Sequence, residues 1–198
     1  MGVCNNVYLI GSHKVSLDNV EGAVSLYDSY LAQAQNVKGN LFYHFHRYGG
    51  GNWGGPYSVK RSRNYETKLQ KISGETYLDV GNVLIEASEI EGKTFIKNRF
   101  GNTRFHQLNK RMDGACEINS SAGEVLLFLG EKSIGEVNVS AKTLCGKIEY
   151  GGLKDITKLH TWNTPREMYV GTVEKIEMAD IQIQTESGDI RIEKVMES

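Results

Sequence analysis

The chain has 198 residues, of which 39% are apolar and 24% charged, and its formal net charge at pH 7 is -1. The 22 glycines are accompanied by only 2 prolines, which excludes a collagen-like or disordered chain and indicates one globular domain. No apolar run approaches the roughly 18 residues of a membrane-spanning helix, and the near-zero charge gives no reason to expect attraction of the whole molecule to nucleic acid.

A short glycine-centred phrase recurs nine times along the chain. In each copy the glycine is followed by apolar residues, usually two and four positions later, with glycines at 22, 39, 74, 92, 114, 123, 135, 146 and 188. The clearest copies are VEGAVSL (20–26), VKGNLFY (37–43), IEGKTFI (90–96), MDGACEI (112–118) and LCGKIEY (144–150). The first gaps between glycines are 17, 35 and 18 residues, which indicates a repeat of about 18 residues.

The alternation inside each copy predicts a short β-strand with one apolar face. Residues two and four positions after the glycine share a face, so they are expected to point into the core. The glycine is expected either to take a positive φ at a corner or to let a neighbouring turn approach closely. The predicted inward residues are Val24, Leu26, Leu41, Tyr43, Ile96, Ile118, Val125, Leu127, Val137, Val139, Ile148, Tyr150, Ile190 and Ile192.

Short strands separated by corners too short for a helix predict an all-β protein that coils as a single-stranded β-solenoid, or β-helix. We expect residues 1–198 to form one such domain. An antiparallel β-sandwich is the alternative, because nine strands would also suit a sandwich of this length. The solenoid is favoured because hairpins do not require glycines at a fixed phase.

Two histidines lie on the predicted strand 41–48. His44 and His46 project from the same face of a strand, as two imidazole ligands of a metal would. A metal site needs at least a third ligand, and the other three histidines are isolated in the sequence. We therefore predict no metal site and no cofactor.

A glycine-rich segment follows these histidines. The sequence YGGGNWGGPY (48–57) cannot continue a coil, so it predicts a loop excursion over about residues 47–60. Aromatic side chains on such a loop can contact a sugar or a protein, and basic side chains beside them would orient an acidic partner. The predicted partner-binding residues are Tyr48, Trp53, Tyr57, Lys60, Arg61 and Arg63.

Residues 93–112 contain six basic side chains and no acidic side chain. Phenylalanines and a histidine lie between them, and basic residues interleaved with aromatics are typical of single-strand binding. Alternate residues of a strand nevertheless face solvent, and the whole chain is nearly neutral, so we do not expect a nucleic-acid partner. The basic residues are Lys93, Lys97, Arg99, Arg104, Lys110 and Arg111.

The tail IQIQTESGDIRI (181–192), together with the VEGAVSL and CGKIEY phrases, resembles the adhesin-like β-strand-repeat family, whose members carry repeated Ser-Gly-Asp-Ile-x-Ile phrases. The resemblance covers about 15–46 and 69–192. It implies a β-solenoid and an association with bacterial cell envelopes, and it brings no catalytic residues. This chain departs from the family pattern in its aromatic loop and in showing no anchor or export segment, so we expect a cytoplasmic protein if the chain is complete and an envelope protein if it is a fragment of an anchored one.

The acids are spread singly, without an adjacent aspartate pair, and no G-x-S-x-G motif is present, which disfavours a polysaccharide-active β-helix enzyme. The three cysteines include no C-x-x-C pair, so no disulfide framework is expected, and Cys116 and Cys145 are predicted to be small buried side chains. We predict a non-enzymatic, adhesin-like binding or scaffold module that recognises a protein or a glycan. Self-association through the solenoid ends, as a dimer or filament, is the alternative.

Overall fold

A computed structural model of the chain describes residues 6–46, 65–107, 115–130, 137–151, 156–161, 166–170 and 180–195. These described residues form eighteen strands, numbered in chain order, in two sheets. The ten-stranded sheet has the spatial order β1 (Val7–Ile10), β3 (Val24–Tyr27), β5 (Leu41–Phe45), β7 (Thr76–Val80), β9 (Thr94–Asn98), β11 (Cys116–Ser120), β17 (Ile181–Thr185), β13 (Val139–Thr143), β16 (Arg166–Val170) and β15 (Ile156–Thr161). The eight-stranded sheet has the order β14 (Ile148–Gly151), β18 (Ile190–Val195), β12 (Val125–Gly130), β10 (Thr103–Gln107), β8 (Val83–Ile90), β6 (Tyr65–Ile72), β4 (Leu31–Val37) and β2 (Val15–Val20).

The chain winds as a β-solenoid in which each coil contributes one strand to each sheet. Equivalent residues of neighbouring coils pair in parallel, as Val7 with Val24 and Val24 with Leu41. Antiparallel pairing among the described strands occurs only where β16 joins β13 and β15. The predicted solenoid is therefore confirmed, and the antiparallel sandwich is wrong.

The last coil does not lie at the end of the solenoid. Strand β17 pairs with β11 on one side and with β13 on the other, and β18 lies in the same way between β12 and β14. The chain thus leaves a gap of one coil after β12, builds β13 and β14, and returns to fill the gap. The far edge of β13 is occupied by β16, which is the first strand of the antiparallel extension β16–β15.

The predicted inward residues largely form the core. Twelve of the fourteen are buried, each with no more than 3% of its surface exposed. Ile148 is partly buried against the core, whereas Tyr150 is 46% exposed and its prediction is wrong. Both lie on β14, which ends the eight-stranded sheet, so no described coil covers that strand from the other side.

The described repeated glycines, together with Gly101, form two columns of stacked corners. A Cβ placed on Gly39 would overlap the backbone of Gly22, and one on Gly74 would overlap Gly39. In the second column a Cβ on Gly123 would overlap Gly101. Among the described glycines only Gly11 has a positive φ. Glycine therefore recurs at these corners because successive coils approach closely there, and not because the backbone is left-handed. Gly114 and Gly135 lie outside the described residues.

At three of these corners, a polar residue directly after the glycine forms a hydrogen bond to a neighbouring corner. The Oδ1 atom of Asn40 accepts a hydrogen bond from the Glu75 amide at 2.9 Å, and Asn102 accepts one from the Glu124 amide at 3.0 Å. Asp189, in the Ser-Gly-Asp-Ile phrase, accepts from the Lys147 amide at 2.8 Å. The Gly-Asn and Gly-Asp pairs therefore belong to stacked corners and not to hairpin turns.

Left-handed residues also recur in register on the eight-stranded sheet. Asn19, Asn36, Lys71 and Glu89 have φ values between 54° and 56°, and each precedes the last residue of its strand. Because each adds one residue to the alternation, the next inward side chain follows after three positions instead of two, as in Leu69 and Ile72. As a result of the extra residue, the apolar side chain two positions before each corner glycine points into the core.

The described part of the chain contains no helix with the length and apolarity of a membrane crossing. Cys116 is buried, as predicted, and burial raises the pKa of its thiol. Cys145 is exposed, which contradicts its predicted burial, because it lies on the corner between β13 and β14. Cys4 lies outside the described residues.

Candidate functional site

The outer face of the eight-stranded sheet carries an ordinary charged surface. Lys68 approaches Glu66 at 3.3 Å and Glu86 at 3.7 Å, and Arg191 approaches Glu149 at 3.1 Å. Exposed ion pairs of this kind contribute little to stability and keep a sheet face solvated. The residue types that favour recognition lie instead on the outer face of the ten-stranded sheet.

Five aromatic side chains form a ladder across one end of that face. Tyr8, Phe42, Tyr77 and Phe95 occupy one register column, in which Ser25 is the residue of β3. Tyr27, two residues further along β3, lies between the rings of Tyr8 and Phe42, and successive ring centroids of the ladder are 4.8 to 5.9 Å apart. Phe42, Tyr77 and Phe95 are stacked, with interplanar angles of 5° and 12°. Stacked rings cover one another's faces, so most of the ladder presents ring edges to solvent.

A cluster of three side chains that could ligate a metal lies beside the Phe42 and Tyr77 rings of the ladder. His44 projects from β5, His46 directly follows the last residue of that strand, and Asp79 is the register partner of His44 on β7. The Nε2 atom of His46 lies 3.0 Å from Oδ1 of Asp79, and Nδ1 of His44 lies 4.0 Å from Oδ2 of Asp79. The two imidazole centroids are 4.5 Å apart.

The environment of His46 favours its neutral form. Burial lowers the pKa of His46 below its ordinary value, and the Asp79 carboxylate opposes this effect without overcoming it. The nearby His44 and Arg99 lower the pKa further. At neutral pH the ring is therefore an uncharged imidazole, which is the form that coordinates metals.

Sequence reasoning missed Asp79 as the third member of this cluster. Asp79 is separated from His44 by 35 residues, the same distance that separates Gly39 from Gly74. The glycine spacing, applied to His44, would have identified the position that lies beside it. The structure thus places a third side chain of a metal-ligating type beside the two histidines, and the absence of a metal site stays a prediction.

A groove of about 440 Å³ lies on the same outer face, on the side of Phe95 that is away from the rest of the ladder. Its walls combine amide, hydroxyl, basic and acidic side chains with a single aromatic ring. Three cationic and two acidic side chains leave little net charge. The lining residues are Phe95, Lys97, Arg99, Glu117, Asn119, Ser120, Ser121, Lys142, Leu144, Gln184, Thr185 and Glu186.

The basic stretch 93–112 does not form one surface. Lys97 and Arg99 line the groove on the ten-stranded sheet, whereas Arg104 and His106 lie on β10 of the other sheet. Phe105 is buried in the core. Lys110 and Arg111 lie outside the described residues. The fold therefore separates charges that the sequence places together.

The predicted partner-binding residues of the loop stay a prediction. Tyr48, Trp53, Tyr57, Lys60, Arg61 and Arg63 fall within 47–64, outside the described residues. The segment connects His46 to Tyr65, so in the chain it begins directly after the histidine cluster.

Comparison with known proteins adds one distant structural neighbour. No family model matches the chain, and no curated protein matches it. The crystal structure of a protein described as a "putative cell adhesion protein" from Clostridium sporogenes superimposes with a TM-score of 0.41 and 10% sequence identity, covering 94% of each chain. The link to adhesion proteins is therefore a loose structural similarity, and the chain's own groove and side chains must indicate its function.

Proposed function

We propose that this protein is a non-enzymatic binding module that holds a glycan in the groove of the ten-stranded sheet. The observation that carries the proposal is the combination of the Phe95 ring with the amides of Asn119 and Gln184 in one groove of about 440 Å³. Sugars offer an apolar ring face flanked by hydroxyl groups that both donate and accept hydrogen bonds. An aromatic ring beside side-chain amides matches both features.

The position of Phe95 supports stacking against a sugar. Phe95 ends the aromatic ladder, and one face of its ring is covered by Tyr77 at 5.0 Å. Its neighbour on the other side is Glu117 of β11, so the second ring face is directed toward the groove. An aromatic face at the end of a stacked column needs no reorganisation before a ligand binds.

The backbone under the groove also favours recognition of an extended ligand. Glu117, Asn119, Gln184 and Lys142 alternate with buried residues on β11, β17 and β13, which pair in parallel. Parallel rungs repeat about every 4.8 Å, so these side chains form regular rows. Such a surface loses little entropy on binding, because the strands that carry it are already ordered.

The proposal is tested with a glycan array, followed by calorimetry on the glycan that binds. Replacing both Asn119 and Gln184 with Ala is expected to weaken binding by about tenfold or more, because two amide hydrogen-bonding groups are lost. The matched control is the double variant Gln33→Ala and Gln35→Ala. These two amides lie on the outer face of the eight-stranded sheet and should leave the affinity unchanged.

Two further measurements separate this proposal from its alternatives. If the loop also contacts the glycan, Trp53→Ala with Tyr57→Ala will weaken binding while the melting temperature stays nearly constant. If the protein were a glycan-cleaving enzyme, new reducing ends would accumulate and Glu117→Gln would stop their release. If the Asn119/Gln184 variant and the Gln33/Gln35 variant both bind the glycan as tightly as the wild type, the groove is not the binding site.

Self-association is a second candidate function, favoured by the exposed end of the solenoid. Strands β1 and β2 end the two sheets, and no described strand pairs with their outer edges. On β1 the side chains of Tyr8 and Ile10 are 64% and 63% exposed. An apolar edge strand without charge is a ready template for pairing with a second copy.

We expect this end to form a symmetric dimer through β1, detectable by light scattering coupled to size exclusion. Ile10→Lys should shift the protein to the monomer, because a charge on the edge opposes pairing. Phe100→Lys is the control, since Phe100 is 53% exposed but lies away from β1. A monomer at every concentration, or a dimer that persists in Ile10→Lys, would exclude assembly through this edge.

A further inference from the structure

Three side chains with metal-ligating atoms converge beside the aromatic ladder, outside the residues that line the groove. His44 lies on β5 and pairs with Asp79 on the neighbouring strand β7, and His46 directly follows β5. The parallel pairing of β5 with β7 places His44 beside Asp79 on the ordered backbone of two strands, and His46 is one residue beyond the last paired residue, Phe45.

The distances within the cluster suit one shared cation. Ligand atoms bound to a metal at about 2.1 Å lie roughly 3 to 4 Å from one another. The separations of 3.0 Å between His46 and Asp79 and of 4.0 Å between His44 and Asp79 fall in this range. One ligand atom from each residue can be chosen so that all lie within 4.8 Å, so small side-chain rotations complete the set.

The burial of the cluster leaves one side open. The side chains of His46 and Asp79 are 17% and 16% exposed, whereas that of His44 is 39% exposed. Two ligands are thus held by their surroundings and the third borders solvent. Three protein ligands with solvent access leave coordination positions for water or for a group of a bound molecule.

We propose that His44, His46 and Asp79 bind a divalent transition-metal cation, with Zn²⁺ as the first candidate. Two imidazoles and one carboxylate suit Zn²⁺, Co²⁺ and Ni²⁺, whereas Ca²⁺ and Mg²⁺ prefer all-oxygen ligands. None of the three ligands lines the glycan groove, so either proposal can fail without the other.

Neighbouring positive charges limit the affinity of this site. Lys97 is the register partner of Asp79 on its other side, and Arg99 lies close enough to affect the charge on His46. Each cation repels a bound metal through space, by an amount that solvent reduces. Removing the charge beside Asp79 in Lys97→Met is therefore expected to tighten metal binding by about threefold.

The test titrates the whole purified chain, after treatment with a chelator, with Zn²⁺ alone by calorimetry. We expect one equivalent to bind and to raise the melting temperature, because the cation binds the folded state. Titration with Co²⁺ should produce visible absorption bands that report a four- or five-coordinate site. Asp79→Asn and His44→Ala should each weaken Zn²⁺ binding by about tenfold or more.

His13→Ala is the matched control, because His13 is an exposed histidine between β1 and β2, two coils away from β5, and should leave Zn²⁺ binding unchanged. Asp79→Asn preserves side-chain shape and His44 is the most exposed ligand, so at least one variant should remain folded by circular dichroism. Absence of stoichiometric binding to the wild-type chain would overturn the proposal. Equal affinity in the wild type and in a folded ligand variant would overturn it as well.

Discussion

Replacing Gly39 with Ala is expected to destabilise the protein by about 3 kcal/mol, lowering the melting temperature by about 10 °C. The added Cβ would overlap the carbonyl carbon and oxygen of Gly22 in the preceding corner. Backbone of a neighbouring coil cannot rotate away as the end of a flexible side chain can. Relief therefore requires separating two coils, which breaks parallel hydrogen bonds and opens the core.

The control for this prediction is Gly81→Ala, measured by the same urea or thermal unfolding. At Gly81 the nearest atom to a new Cβ is the Cα of His46 at 3.7 Å, an ordinary contact, and φ is not positive. We expect a change within about 0.5 kcal/mol. Similar losses in both variants would mean that stacking of the corner glycines does not stabilise the solenoid.

Deleting residues 180–198 is expected to unfold the region that follows β12, and not merely to shorten the solenoid. The deletion removes β17 and β18, whose inward residues Ile181, Ile183, Ile190 and Ile192 are fully buried. Burying each isoleucine contributes about 2 to 3 kcal/mol, so the four together contribute on the order of 10 kcal/mol. That loss is comparable with the total stability of a domain.

Hydrogen exchange measures the outcome of this deletion directly. Amides of β13 and β14 should lose protection, because these strands pair with β17 and β18 on the side toward the rest of the solenoid. Deleting the first coil, residues 1–22, is the control and should leave their protection unchanged. If β13 and β14 stayed protected after the C-terminal deletion, they would be packing directly on β11 and β12, and the inserted position of the last coil would be wrong.

The candidate site shows which contacts the sequence repeat predicts and which it does not. His44 and His46 were identified as neighbours because alternation along a strand is a local property. Asp79 was missed because its contact with His44 depends on the register between two coils, across the segment 47–64. The groove was missed for the same reason, since its walls come from β9, β11, β13 and β17, and β17 lies between strands that precede it in the chain.

The sequence by itself determined the class of fold and the inward residues of most coils, because alternation of apolar residues and the phase of the corner glycines act within one coil and its nearest neighbour. Only the tertiary structure decided the order of the coils. Ile118, Ile183 and Ala141 occupy equivalent places in the core, so any of these coils fits beside any other and local pattern cannot rank them. The order of the coils follows instead from the pairing of β16. Because β16 occupies the far edge of β13, the last coil can pair only in the gap between β11 and β13. Tyr150 is exposed as a consequence, because this arrangement makes β14 the edge of its sheet.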